Sequence, residues 1–181
     1  SSSVRIFPSL NSKTMKNLIL LLSIALFFSC SQKQNISVQS PGGNIGLHFE
    51  VNDSSHIVYS FDYNGKNVID ESQLGFQFSE ENPLAKGLEI VSTEKSLIDE
   101  TWKPVYGERS EIRNHYNQLK IQLRKTTPPE QEFEMTFRIY NEGMAFNYTF
   151  LPQDGTESLT IEKELTEFNL PANYDSWVAN R

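Results

Sequence analysis

Glu132-Phe133-Glu134-Met135-Thr136-Phe137-Arg138-Ile139-Tyr140-Asn141-Glu142-Gly143-Met144-Ala145-Phe146-Asn147-Tyr148-Thr149-Phe150 is the stretch that decides the fold of this 181-residue chain. Phe133, Met135, Phe137 and Ile139 alternate with Glu132, Glu134, Thr136 and Arg138. Successive side chains on a strand point to opposite faces, so this segment has one dry face and one wet face. Asn141-Glu142-Gly143 then reverses the chain. Phe146, Tyr148 and Phe150 repeat the period of two. The pattern predicts a half-buried antiparallel hairpin.

Outward from that hairpin the same period recurs. Leu119, Ile121 and Leu123 oppose Lys120, Gln122 and Arg124. Ile45, Leu47, Phe49 and Val51 share a face, as do Ile57, Tyr59, Phe61 and Tyr63. Asn64-Gly65 follows the last of these, and both residues accept positive φ, the strongest short hairpin signal. Pro41-Gly42-Gly43-Asn44 and Pro128-Pro129 punctuate two further strands. No sustained 3.6-residue apolar period occurs outside the N-terminal segment. The reading is an all-β, antiparallel fold, and the chain length favours a large sandwich over a small barrel.

At the N-terminus, Met15 and Lys16 precede an apolar run from Leu18 to Phe28 that only Ser23 interrupts. That run is of secretory length and short of the roughly 20 residues a membrane span needs. It ends at Ser29-Cys30, which resembles a lipobox with Phe28 in place of the usual small residue. Residues 15–30 are therefore expected to be a lipoprotein signal peptide, with a lipid on Cys30 holding the chain at a Gram-negative cell envelope. Residues 1–14 are read as an upstream extension, and 31–35 as a polar tether.

Thirteen of the 16 basic residues and all 23 acidic residues follow Cys30, a net charge of −10 for that part with His neutral. Such a surface argues against nucleic acid, which Lys and Arg must neutralise. With one cysteine, neither an internal disulfide nor a Cys-based metal site is expected. His48, His56 and His115 are not spaced as metal ligands. His48 is expected to face solvent, and Glu162, Glu164 and Glu167 to form a solvated acidic edge.

One stretch breaks the alternation: Asp99-Glu100-Thr101-Trp102-Lys103-Pro104-Val105-Tyr106-Gly107-Glu108-Arg109-Ser110-Glu111-Ile112-Arg113-Asn114-His115-Tyr116-Asn117. Pro104 and Gly107 argue for a loop or an irregular edge, and polar loops on a rigid sandwich are where binding residues lie. Trp102, Tyr106 and Tyr116 can stack on sugar faces, while Glu108, Arg113, Asn114 and His115 can bond hydroxyls or another domain. Equally open is a packed edge whose charges pair, Glu111 with Arg113 for example. Asp99-Glu100 and Glu80-Glu81 are poor glycosidase carboxylate pairs, since strand neighbours point to opposite faces.

The same stretch closely resembles the N-terminal domain of glycoside hydrolase family 97. Leu74-Gly75, Phe137 to Phe146, and Glu164-Leu165-Thr166-Glu167-Phe168 fit it too, so the resemblance spans roughly Ile36 to Trp177. It implies a β-supersandwich similar to the galactose mutarotase fold, over 36–181, joined in the full enzyme to a (β/α)8 barrel. Such enzymes look like exported α-glucosidases and α-galactosidases of Bacteroidetes. Catalytic carboxylates and most calcium ligands belong to the barrel, so this chain is expected to hold neither catalytic residue nor metal, with calcium expected in the full-length enzyme. The expected partners are an oligosaccharide, that barrel and a membrane. Glu108, Arg113, Asn114 and His115 are the expected pocket rim, and Trp102 the anchor of their loop. The rival reading is a stand-alone carbohydrate-binding surface lipoprotein.

Overall fold

The computed structural model describes residues 35–78, 83–128, 130–150 and 159–175. The signal peptide with Cys30, and Glu80-Glu81, lie outside them. All described residues belong to one compact unit, Lys33–Arg181. The elements are β1 (Asn35–Gln39), β2 (Ile45–Val51), β3 (Ile57–Tyr63), β4 (Lys66–Gln73), β5 (Phe76–Gln77), β6 (Pro83–Leu84), β7 (Leu88–Trp102), β8 (Ile112–Lys125), β9 (Glu132–Ile139), β10 (Met144–Phe150) and β11 (Lys163–Glu164). Strands β1-β2-β3-β4 form one sheet in chain order, β10-β9-β8-β7 a second, and β11-β5-β6 a small third. All the pairings are antiparallel.

The alternation becomes a sandwich because the dry faces have only each other to cover them. Leu47 and Phe49 from β2, Leu119, Ile121 and Leu123 from β8, and Phe133, Met135, Phe137 and Ile139 from β9 are all fully buried in one cluster. Phe49 meets Phe137 edge-on with ring centroids 5.8 Å apart, joining the two large sheets. The dry face predicted for β3 fades along the strand: Ile57 and Tyr59 are buried while Tyr63 is half exposed. Register shifts on either side of Phe61 turn the far end outward.

The turns follow the sequence closely. Asn64 (φ 52°) and Gly65 (φ 75°) make the two-residue loop between Tyr63 and Lys66. At the other sheet Tyr140 N donates to Gly143 O at 2.8 Å across the Asn141-Glu142-Gly143 turn. The two ends of the sandwich meet there: Gly42 N donates to Asn141 Oδ1 at 2.7 Å, and Asn44 Nδ2 donates to Asn141 O at 2.9 Å. Asn141→Ala removes the first bond but leaves the backbone acceptor of the second. The expected loss is about 1 kcal/mol, the net worth of an exposed-to-half-buried hydrogen bond, read as a fall of a few degrees in melting temperature.

The acidic edge has a second role. The side chains of Glu162, Glu164 and Glu167 are exposed as expected, but their backbone closes a sheet. Glu167 N donates to Gln73 O, Leu165 N to Gly75 O, and Asp70 N to Asn169 O, at 2.8–2.9 Å. Glu167 Oε2 also accepts from Gln73 N at 3.1 Å. Two phenols, Tyr59 buried and Tyr148 partly buried, lock this strap. Tyr59 OH donates to Glu167 O at 2.9 Å, and Tyr148 OH bonds Thr166 Oγ1 at 3.3 Å. Burial pushes both phenols up to about 12.

Candidate functional site

The polar stretch 99–117 is mostly strand. The β7–β8 register runs unbroken from Leu97↔Asn117 to Trp102↔Ile112. Strand β9 joins β8 only from Asn117 onward. Ile98–Trp102 and Ile112–Tyr116 therefore pair only with each other, as a two-stranded arm beyond the sheet. The expectation of irregular structure holds for residues 103–111, where Pro104 and Gly107 lie, and fails for both flanks. The flanks carry polar residues on both faces, so a continuous backbone ladder leaves no apolar signature.

Residues directly opposite each other in an antiparallel pair share a face. This divides the candidates. Trp102 and Asn114 lie on one face with Glu100, Ile112 and Tyr116. Arg113 and His115 lie on the other with Asp99, in line with the core positions Leu119, Ile121 and Leu123. Glu108 is exposed in the loop at the tip. The five residues are on one arm but do not converge on one point.

The charged rungs are satisfied within the arm. Arg113 grips Asp99 with both prongs, Nε to Oδ1 at 2.7 Å and Nη2 to Oδ2 at 2.6 Å. The expected Glu111–Arg113 pair does not form; Glu111 instead meets Lys103 across the loop at 3.4 Å. Asp99 is the diagonal cross-strand neighbour of Arg113 on the same face. On the other face Asn114 Nδ2 donates to Glu100 Oε1 at 2.9 Å, and Tyr140 OH donates to Asn114 Oδ1 at 3.2 Å. Asp99 and Glu100 are thus each bound to a partner, on opposite faces, and make no carboxylate pair across a sugar.

Arg113's hydrogen bonds, then its charge and more weakly that of His115, hold the Asp99 carboxyl below the usual aspartate range. A lowered acid pKa contributes stability above the ordinary titration point and loses it as pH falls through the depressed one. The Asp99 pair should therefore persist through mildly acidic pH. Carbon-detected NMR titration should give Asp99 a midpoint below a free aspartate, returning to the ordinary range in Arg113→Leu; an unshifted midpoint would contradict the pairing.

The three rings differ in exposure. Tyr116 is 4% exposed. It packs 4.9 Å from Tyr140, with the Arg138 guanidinium 5.2 Å above its ring. Its assignment as a stacking residue is corrected: the outer face of β8 and β9 is covered by a polar-aromatic ladder that buries it. Trp102 is 50% exposed, Tyr106 91% and Val105 99%. The loop at the tip exposes Val105 and Tyr106 together with Glu108, Arg109 and the Lys103–Glu111 pair. Leu97, which lies outside the quoted stretch, and Val105 within it belong to the exposed apolar set.

Elsewhere His48 Nε2 faces Asp62 Oδ2 at 3.3 Å on the outer face of the first sheet, half exposed as expected. Among the described residues no group of three His, Cys, Asp or Glu is arranged to hold a metal ion.

Comparison with known proteins agrees with this architecture. The chain is 23% identical over 160 residues to a retaining alpha-galactosidase of Bacteroides thetaiotaomicron, covering 88% of this chain and 22% of that protein. A glycoside hydrolase family 97 enzyme from Pseudoalteromonas sp., solved in complex with panose, superposes with a TM-score of 0.70 at 29% identity, covering 75% of this chain and 20% of that one. A beta-arabinopyranosidase superposes at 0.68 with 27% identity, over 76% of this chain and 22% of that one. The chain thus spans about a fifth of the length of the relatives it matches. The family described as Glycosyl-hydrolase 97 N-terminal matches residues 38–181. With its paired antiparallel sheets, its strap and its polar arm, this chain belongs to the glycosyl-hydrolase 97 N-terminal family.

Proposed function

We propose that the chain serves as the N-terminal domain of an α-glycosidase of the glucosidase or galactosidase class, supporting a catalytic barrel and not hydrolysing sugars alone. The observation that carries this is the family match over 38–181, with relatives that are glycosidases along about five times the chain's matched share. The arm gives the proposal its geometry. Its strands pair along their length, its Arg113–Asp99 and Asn114–Glu100 rungs are matched, and its exposed Trp102, Val105 and Tyr106 offer a surface to be covered. Docked beside a barrel, that tip would border the sugar pocket, with the exposed Glu108 at hand for hydroxyls.

The Cys30 lipid and export belong to the same proposal. They would place the enzyme at the cell envelope of a Gram-negative bacterium, periplasmic or on the outer membrane, where glycans pass. Hydrolysis would be by a carboxylate pair with general acid departure of the leaving group, and that pair would be the barrel's. The test is direct: the purified chain should release no aryl alcohol from aryl α-galactosides or α-glucosides above the buffer rate. Release that survives repurification would overturn it.

A further inference from the structure

The arm leaves the sandwich at Asn117, the first residue of β8 that pairs with β9. Beyond it, Ile98–Trp102 and Ile112–Tyr116 pair only with each other. A two-stranded ribbon is marginal by itself and twists more than a wide sheet does. The direction of the arm therefore depends on side chains that reach it from the body of the domain.

Those side chains come from the end of β9. Arg138 and Tyr140 continue its outer face, which is also the face of Asn114 and Tyr116 on β8. The Arg138 guanidinium lies 5.2 Å from the centre of the Tyr116 ring, and the Tyr140 ring lies 4.9 Å from it. Both contacts sit at the root of the arm. The Tyr140 hydroxyl reaches further. It donates to Asn114 Oδ1 at 3.2 Å, and Asn114 Nδ2 donates to Glu100 Oε1 at 2.9 Å on the other arm strand. One phenol is thus joined, through one carboxamide, to both strands. On the inner face the pin is at the root alone, where Asn117 Nδ2 donates to Gln39 O at 2.8 Å. The Arg113–Asp99 and Lys103–Glu111 pairs are internal to the arm and do not set its direction. Among the described residues, Tyr140 makes the hydrogen bond that ties residues 98–116 to the sandwich.

We propose that Tyr140 is a positioning residue: its hydroxyl, acting through Asn114, fixes the angle at which the arm leaves the sandwich, and so the place its tip reaches. The angle concerns this chain alone. Its use rests on the reading of the arm as the contact with a catalytic barrel. The length of the arm amplifies a small change at the root. Trp102 lies five residues beyond Leu97, the partner of Asn117. At the rise of an extended strand that is about 16 Å, so a tilt of about 10° carries Trp102 roughly 3 Å sideways. Misplacement by about 1 Å is already enough to spoil a catalytic alignment.

The test is a distance distribution, read by double electron–electron resonance on the full chain in a Cys30→Ser background. Spin labels go on Thr101→Cys in the arm and Glu71→Cys on β4, both exposed positions. The parent should give one narrow peak. Tyr140→Phe keeps the ring against Tyr116 and removes only the hydroxyl, and it should widen that peak roughly twofold or more. Arg113→Leu breaks a rung inside the arm and should leave the width near the parent's. A Tyr140→Phe peak as narrow as the parent's, or equal widening by Arg113→Leu, would overturn the proposal. A second readout separates the brace from the reading it serves. In a chimera carrying this chain in place of the matching segment of the Bacteroides thetaiotaomicron retaining alpha-galactosidase, Tyr140→Phe should lower kcat/KM about threefold or more at an unchanged melting temperature. A widened peak with unchanged kcat/KM would uphold the brace and overturn the barrel-facing role of the arm.

Discussion

Phe137→Ala should lower the melting temperature of the chain by about 10 °C or more. Phe137 is fully buried on β9, between β8 and the edge strand β10. Its ring lies 5.8 Å from Phe49 of the opposite sheet and 5.7 Å from Phe146 of the neighbouring strand. Truncation removes one of the ring contacts between the sheets, Tyr59–Phe146 being another, and leaves a void in the buried core. Such changes cost about 3–5 kcal/mol, a large part of the roughly 5–15 kcal/mol that holds a domain folded. At roughly 2–4 °C per kcal/mol for a domain of this size, the shift is unmistakable. Phe137→Leu keeps most of the volume and should cost roughly 1.5 kcal/mol or less. A Phe137→Ala melt within a few degrees of the parent, by calorimetry or circular dichroism, would mean that the sheets do not pack through this ring.

Gly75→Ala should be nearly as severe, for a different reason. Gly75 adopts φ 139°, a conformation that side chains rarely enter. A Cβ there would lie 2.5 Å from Leu84 O and 2.7 Å from Ala85 Cβ. Leu84 and Ala85 are buried, so neither can yield cheaply. The residue is also a junction: its N–H donates to Tyr148 OH at 3.2 Å and its carbonyl accepts from Leu165 N. Backbone strain of about 1–3 kcal/mol adds to overpacking of about 1–3 kcal/mol. The strap that covers β4 should loosen with it, so amides of Leu165 and Glu167 should exchange faster with deuterium. Gly65→Ala is the control. Its Cβ meets nothing within 4 Å, so only its positive φ opposes the change, at about 1–2 kcal/mol. Equal melting temperatures for the two variants would refute the account of Gly75.

The sandwich was legible where one face of a strand is wet and the other dry. That holds for β2, β8, β9 and β10, whose apolar residues recur at every second position, and for the Asn64-Gly65 turn. It failed where burial is one-sided in another sense. Strand β7 is fifteen residues long and mostly exposed, so its pairing is recorded only in backbone bonds that composition does not reveal. Strand β4 and the strap along it are polar for the same reason. The arm shows the limit for the candidate site. Its residues were visible as an unusual polar and aromatic run, yet which of them share a face depends on where the hairpin turns. Once the loop is fixed at 103–111, Arg113 is set against Asp99 and away from the face of Asn114. Tyr116 misled because an exposed strand position and a position beneath Arg138 and Tyr140 look alike in sequence. The five candidates are divided between two faces and a tip, so they line no single pocket within this chain.

The central claim is that this domain supports chemistry performed elsewhere, and that the arm tip is the part that reaches it. The most direct measurement is kcat/KM on an aryl α-galactoside for a chimera in which this chain, from Asn35, replaces the matching segment of the Bacteroides thetaiotaomicron retaining alpha-galactosidase. The account predicts an active chimera whose kcat/KM falls roughly tenfold or more in Trp102→Ala with Tyr106→Ala, a loss typical of displaced positioning contacts, at an unchanged melting temperature. A chimera indifferent to the loss of both rings would contradict it.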